Sequence, residues 1–124
     1  MIEFALPWPP SLNSYYRSLR SGPLAGRVLI SEDGRRYRKD ARENIREQIG
    51  DQRITDGRLS VVIVAKPPDR RARDLDNLLK SLLDAIHHAG VIRDDSDIDS
   101  LHIIRGDVFP GGIVKITVGQ VAPE

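Results

Sequence analysis

Apolar residues along this chain recur in two rhythms, and the rhythm changes at recognisable breakers. Residues 2–6 read as a short strand that stops at Pro7-Trp8-Pro9-Pro10, where amide donors are missing and φ is fixed. Residues 11–26 contain Ser, Asn and Gly and read as loop, and residues 27–30 as a further short strand. Ser31 offers an N-cap, with Glu32 and Asp33 placed to suit the helix dipole. Tyr37, Ala41, Ile45 and Ile49 then recur every four residues, the mark of a narrow buried helical stripe that Gly50 ends. Residues 59–65 form a β-branched run between Gly57 and Pro67-Pro68, as expected of a strand buried on both faces.

The clearest helix covers residues 75–89. Leu75, Leu78, Leu79, Leu82, Leu83 and Ile86 give it a broad apolar stripe, Asp74 is its expected N-cap, and Gly90 suits a C′ stop. An acidic loop over 93–100 leads to strands at 101–105 and 113–118, joined through Phe109-Pro110-Gly111-Gly112. In the last strand Val114, Ile116 and Val118 alternate with Lys115 and Thr117, suggesting one solvated face. The order β(β)αβαββ predicts an α/β (α+β) domain with a mixed sheet and two main helices. Without a repeat or a long linker, residues 1–124 read as one domain.

The chain has no cysteine, which excludes disulfides and cysteine zinc sites. Its N-terminus lacks a signal-peptide pattern and no apolar run reaches membrane-spanning length, so a cytosolic protein is expected, with no membrane partner. The net charge of +1 conceals a division. Residues 1–46 carry nine Lys/Arg against five Asp/Glu, and residues 66–73 add Lys66, Arg70, Arg71 and Arg73 against Asp69. Residues 74–107 hold eight Asp against Lys80, Arg93 and Arg105. A basic half beside an acidic cluster suits a protein that grips phosphates and holds a cation, although uneven solvated charge gives the same pattern.

Within the acidic half, Arg73-Asp74-Leu75-Asp76-Asn77 sets two carboxylates two residues apart at a strand-to-helix junction. In mid-helix such positions diverge, but at an N-terminus Asp74 can be non-helical while Asp76 enters the first turn, so that both converge. Mg²⁺ takes oxygen ligands and keeps several waters, so two or three carboxylates suffice. Lys80 follows Asp76 at i+4, either as a surface ion pair or as an ammonium beside developing phosphoryl charge. Asp84 lies roughly 12 Å further along and is too distant to ligate. A third carboxylate is expected from Asp94, Asp95, Asp97 or Asp99. Counted from Asp94, an EF-hand loop would need Gly and Glu where Asp99 and Arg105 stand, which excludes that motif.

The run Asp69-Arg70-Arg71-Ala72-Arg73-Asp74-Leu75-Asp76-Asn77-Leu78, then Lys80, then Gly90-Val91-Ile92-Arg93-Asp94-Asp95, resembles the core signature of RusA-type Holliday junction resolvases. Leu6-Pro7-Trp8-Pro9-Pro10-Ser11, with Asn13 and Tyr15-Tyr16-Arg17, is similar to the N-terminal segment of that family, and the resemblance covers nearly the whole chain. It implies metal-binding carboxylates at Asp74, Asp76 and Asp95, an active-site Lys80, and a homodimer that cuts two strands of four-way junction DNA symmetrically with Mg²⁺ and no small-molecule cofactor. Ala72 interrupts the arginine run, Arg93 replaces an apolar residue, and Asp97 and Asp99 add carboxylates to the loop.

Together these readings give Asp74, Asp76 and Asp95 as ligands, Lys80 as electrostatic stabiliser, and Lys66, Arg70, Arg71 and Arg73 as phosphate contacts. The basic helix from Arg35 to Arg46 is an outlying platform or a solvated face. Trp8, Tyr15 and Tyr16 are candidates for stacking on exposed bases, with Trp8 equally suited to plug the core. His87, His88 and His102 are set aside as general bases, the first two suiting a helix C-terminus. The rival readings are a junction-binding module without cleavage and an Mg²⁺-dependent nuclease or phosphoesterase acting on another branched or small substrate.

Overall fold

The computed structural model describes residues 1–121. Its elements run β1 (Ile2–Pro7), α1 (Leu12–Tyr15), β2 (Tyr16–Ser18), β3 (Val28–Ile30), α2 (Glu32–Ile49), β4 (Leu59–Lys66), α3 (Asp76–His88), a 3₁₀ turn (Asp95–Asp97), β5 (Ile98–Arg105) and β6 (Ile113–Gln120). Four strands form a mixed sheet in the order β1-β6-β4-β5, with β4 and β5 parallel and the other pairs antiparallel. A parallel neighbour needs a crossover, and α3 supplies it between β4 and β5. The α+β reading and the element order follow the sequence. The loop expected at 11–26 instead holds α1 and β2, and β2 pairs with β3 as a separate two-stranded ribbon.

Both helices lie on one face of the sheet. Ile2, Phe4, Leu6, Leu59, Val61, Ile63, Ala65, Val114, Ile116 and Val118 point into that layer and are buried, and Leu78, Leu82, Ala85 and Ile86 meet them from α3. Burial on β4 alternates between buried and intermediate, because among the described residues no helix covers the second face. The expectation that this strand is buried on both faces is therefore corrected. Ser31 caps α2 as expected, its Oγ accepting from the Gly34 amide at 3.0 Å. Gly34 must be glycine, since a Cβ there would meet the Tyr15 carbonyl oxygen at 2.5 Å. Among the described residues no helix is long and apolar enough to cross a membrane.

The topology fixes two ends of the β4–α3–β5 unit. The C-terminal ends of β4 and β5 face the start of α3, while the start of β5 and the end of α3 lie at the other end. Ile98 pairs with Leu59 at one end and Arg105 with Ala65 at the other.

Candidate functional site

At the C-terminal end of β4, Pro67-Pro68 stops strand pairing and residues 69–75 turn the chain into α3. Helical structure begins one residue later than the sequence suggests. Leu75 occupies the cap position, and no side chain accepts from the first-turn amides. Asp74 contributes only its main-chain carbonyl, which accepts from the Asn77 amide at 3.3 Å. Its expected role as side-chain cap is corrected: the carboxylate is left free. Asp74, Asp76 and Lys80 are all exposed, and none takes part in an ion pair among the described residues. The Asp76–Lys80 ion pair is therefore not made.

The loop that carries Asp74 is braced from several sides. Arg73 reaches Asp69 at 2.7 Å, donates to the carbonyls of Asp69 and Arg71, and sits 5.8 Å from the centre of the Trp8 ring. From the edge strand, Arg105 Nη2 donates to the Arg73 carbonyl at 2.6 Å. The Arg73 hydrogen bond, helped by the Arg71 amide, holds the Asp69 carboxyl down at about 2. Arg73 is thus occupied inside the loop. Arg71 pairs loosely with Asp69 at 3.7 Å, and Arg70 is exposed without an ion pair among the described residues. Lys66 lies on the open face of the sheet, opposite the helices.

Asp95 stands at the opposite end of the unit. It opens the 3₁₀ turn before β5, whose start pairs with the start of β4. The eight residues of β4 span roughly 25 Å, so one protomer does not bring Asp95 to Asp74 and Asp76. Among the described residues, no cluster of three or more His, Cys, Asp or Glu is placed to hold a metal ion. The neighbours of Asp95 are already engaged. Asp94 caps the turn by accepting from the Ser96 amide at 3.0 Å, and that bond lowers its pKa. Asp97 is buried and takes both Nε and Nη2 of Arg93 at 3.1 and 2.9 Å, while Asp99 pairs with Arg58 at 2.7 Å. Asp95, half-buried beside Asp94, has no ion pair among the described residues.

Other candidates find structural partners. Tyr15 is fully buried, so it cannot stack on DNA; its hydroxyl donates to Asp84, which also pairs with Arg38 at 2.7 Å. Burial first, then Asp84, pushes the Tyr15 hydroxyl upward. Arg38 and Tyr15 outweigh the cost of burial at Asp84 and hold its carboxyl low. Tyr16 packs edge-on against Tyr15 at 4.9 Å. His87, His88 and His102 are exposed and far from the start of α3 or on β5. On α2, Arg36 pairs with Glu32 and Asp33, whereas Lys39, Arg42 and Arg46 have no ion pair among the described residues. The bracing roles of Arg105 and Asp69 are not readable from the sequence. Arg105 acts across 32 positions, and no local pattern marks such a contact.

The family model described as Endodeoxyribonuclease RusA matches residues 7–118. The chain belongs to the RusA endodeoxyribonuclease family. It is 43% identical over 119 residues to the crossover junction endodeoxyribonuclease of Enterobacteria phage HK97, covering 96% of this chain and 94% of the relative. It is 35% identical over 122 residues to the corresponding protein of Escherichia coli strain K12 and 36% identical to that of Enterobacteria phage 82, in each case over 98% of this chain and 97% of the relative. The RusA match spans both ends of the β4–α3–β5 unit, so it includes Asp74, Asp76, Lys80 and Asp95 together.

Proposed function

We propose that this RusA-family chain is an endodeoxyribonuclease that resolves four-way DNA junctions, with Asp74 and Asp76 holding Mg²⁺ and Asp95 of the partner subunit completing the centre. The observation that carries the reading is the pair of exposed, uncommitted carboxylates at the start of α3, with Lys80 one turn on, in a chain whose relatives bear the name crossover junction endodeoxyribonuclease. Hard oxygen donors of this kind suit Mg²⁺, which is commonly bound through one or two carboxylates with waters and phosphate completing its shell. The ion, when bound, supplies an activated water and polarises the phosphodiester.

The residues of the chain do the remaining work. The braced 69–74 loop holds Asp74 in place, so little ordering is needed when DNA arrives. Lys80 presents a compact ammonium to charge developing on the phosphoryl oxygens. Arg70 and Arg71, exposed on the approach, contact flanking phosphates and position the strand without reading its sequence. Arg73 supports them from within the loop, and Lys66 contacts phosphate only if DNA wraps onto the open face of the sheet. A cytoplasmic setting goes with action on DNA.

The position of Asp95 supports a dimer. β5 is an edge strand, and the exposed Leu101 and Ile104, with Val108 and Phe109 just beyond it, leave that edge apolar. An unpaired apolar edge is a template for a second copy. A two-fold axis beside β5 pairs it antiparallel with its mate, which carries the Asp95 end of one protomer to the Asp74 end of the other. Two equivalent centres then face two symmetry-related strands of a junction.

The test is cleavage of a synthetic four-way junction, a nicked duplex and a linear duplex, with Mg²⁺ or with EDTA. Paired symmetric cuts in the junction alone, abolished by EDTA, support the proposal. Junction binding without cutting, or equal cutting of linear duplex, contradicts it.

A further inference from the structure

A pocket of about 390 Å³ opens beside Asp74, lined by Trp8, Ser11, Ala72, Arg73, Asn77 and Leu78. Its walls differ in chemistry. Leu78 is buried and gives an apolar base. Trp8 is half-buried and fixed: a Cβ on Gly112 would meet Trp8 Cβ at 2.8 Å and Cγ at 3.0 Å, so the backbone of the β5–β6 turn is pressed against it. Arg73 sits over the indole and presents its planar guanidinium, whose charge is shared with Asp69. Asn77 is exposed, and among the described residues its carboxamide makes no hydrogen bond to protein, which leaves one acceptor and two donors free. Ala72 interrupts a run of arginines and contributes a small, exposed side chain to the lining.

We infer that this pocket receives a nucleobase drawn out of its pair and stack next to the scissile phosphate and that Asn77 reads its edge. The inference rests on the nuclease reading of Asp74 and Asp76. A nucleobase matches the wall chemistry: a flat π-surface against leucine and the Arg73 guanidinium that covers the indole, a hydrogen-bonding edge for the carboxamide, and a phosphate leading toward Asp74. Inside a continuous duplex both neighbours hold a base in the stack, whereas at a branch point the strand leaves one helix for another, so drawing a base out costs less there. Occupation would therefore favour branched DNA and specify where the strand is cut. Asn77 contributes both through position, three residues after Asp74, and through its vacant donor and acceptor sites.

Two readouts test this with the full chain. Four-way junctions carrying 2-aminopurine at each position flanking the cut, bound in Ca²⁺, report base unstacking by fluorescence. One flanking position should brighten with the wild-type protein, and Ala72→Leu, which adds bulk to the pocket lining, should abolish that change. A junction panel varying the flanking bases should show discrimination on the order of 10-fold by the wild type, reduced to about 2-fold or less by Asn77→Ala. If no flanking position brightens, or if Asn77→Ala keeps the wild-type discrimination, the base pocket is wrong. Asp76→Asn separates the two readings. It should still unstack the base while failing to cut; retained cutting by that variant would overturn the metal-site reading and leave the fluorescence result to judge the pocket alone.

Discussion

Arg105, at the end of the edge strand, donates Nη2 to the main-chain carbonyl of Arg73 at 2.6 Å. The acceptor belongs to the residue immediately before Asp74, so the contact fixes the backbone that presents the first carboxylate. Groups that orient a ligand without touching the metal commonly change metal affinity by 10–100-fold when removed. Arg105→Ala is expected to raise the Mg²⁺ concentration needed for half-maximal cleavage roughly 10-fold, with thermal stability nearly unchanged because the side chain is exposed. A Mg²⁺ titration of cleavage rate beside a melting curve measures both. An unchanged Mg²⁺ midpoint would make Arg105 an ordinary surface residue.

Lys80 has no ion pair among the described residues and follows Asp76 by one helical turn. Its removal should therefore cost little stability and much rate. Lys80→Ala is expected to lower single-turnover cleavage by ~10²-fold or more while changing junction affinity only a few-fold. Lys80→Arg should rescue poorly, since a planar guanidinium cannot replace a compact ammonium. Equal losses of binding and rate would reduce Lys80 to a phosphate contact.

The Tyr15–Asp84–Arg38 cluster ties the N-terminal segment to α3 and α2, with Arg38 and Asp84 mostly buried. Asp84→Asn strands the Arg38 guanidinium without a counter-charge. Breaking a fully buried pair costs 3–5 kcal/mol, and residual exposure here reduces the expected loss to about 1–3 kcal/mol. Urea unfolding of the two proteins gives the difference. Arg38→Met with Asp84→Leu should recover much of the loss, because the charge and its partner leave together.

Asp69 supplies a pH dependence with a defined sign. Its carboxyl ordinarily titrates near 3.8 and is held at about 2 in the folded chain by Arg73. A depressed carboxylate stabilises the fold fully above its unfolded value and loses that contribution as pH falls from about 4 through about 2. Asp69→Asn should therefore flatten the stability profile in that window and leave it unchanged in slope near neutrality. NMR titration of Asp69 with a midpoint near 4 would show that the Arg73 brace is not formed in solution.

Much of this architecture was written locally. Ser31 with its acidic first turn, the leucine spacing in α3 and the Pro67-Pro68 stop each act within a few residues, so the elements they specify were legible. β2 was not, because three residues between α1 and a glycine-bearing turn pair with β3 only through tertiary context. The candidate centre divides in the same way. Asp74, Asp76 and Lys80 share one short motif, whereas the separation of Asp95 depends on β4 and β5 running parallel, which no local pattern states. Asp97 and Asp99 looked equivalent to Asp95 in the sequence; Arg93 and Arg58 distinguish them in the fold.

A centre shared between protomers has a consequence that a self-contained one lacks. Asp76→Asn and Asp95→Asn should each fold, bind a four-way junction and fail to cut it. Mixed dimers of the two variants then contain one centre with both substitutions and one with neither, so mixing should restore cleavage, as single-strand nicks rather than paired cuts. The decisive measurement is nicking by the separately purified variants and by their re-equilibrated mixture, with dimer exchange confirmed by mass. Restored nicking in the mixture alone is the expected result. An exchanged mixture as inactive as its components would contradict the shared centre and return Asp95 to a role within its own protomer.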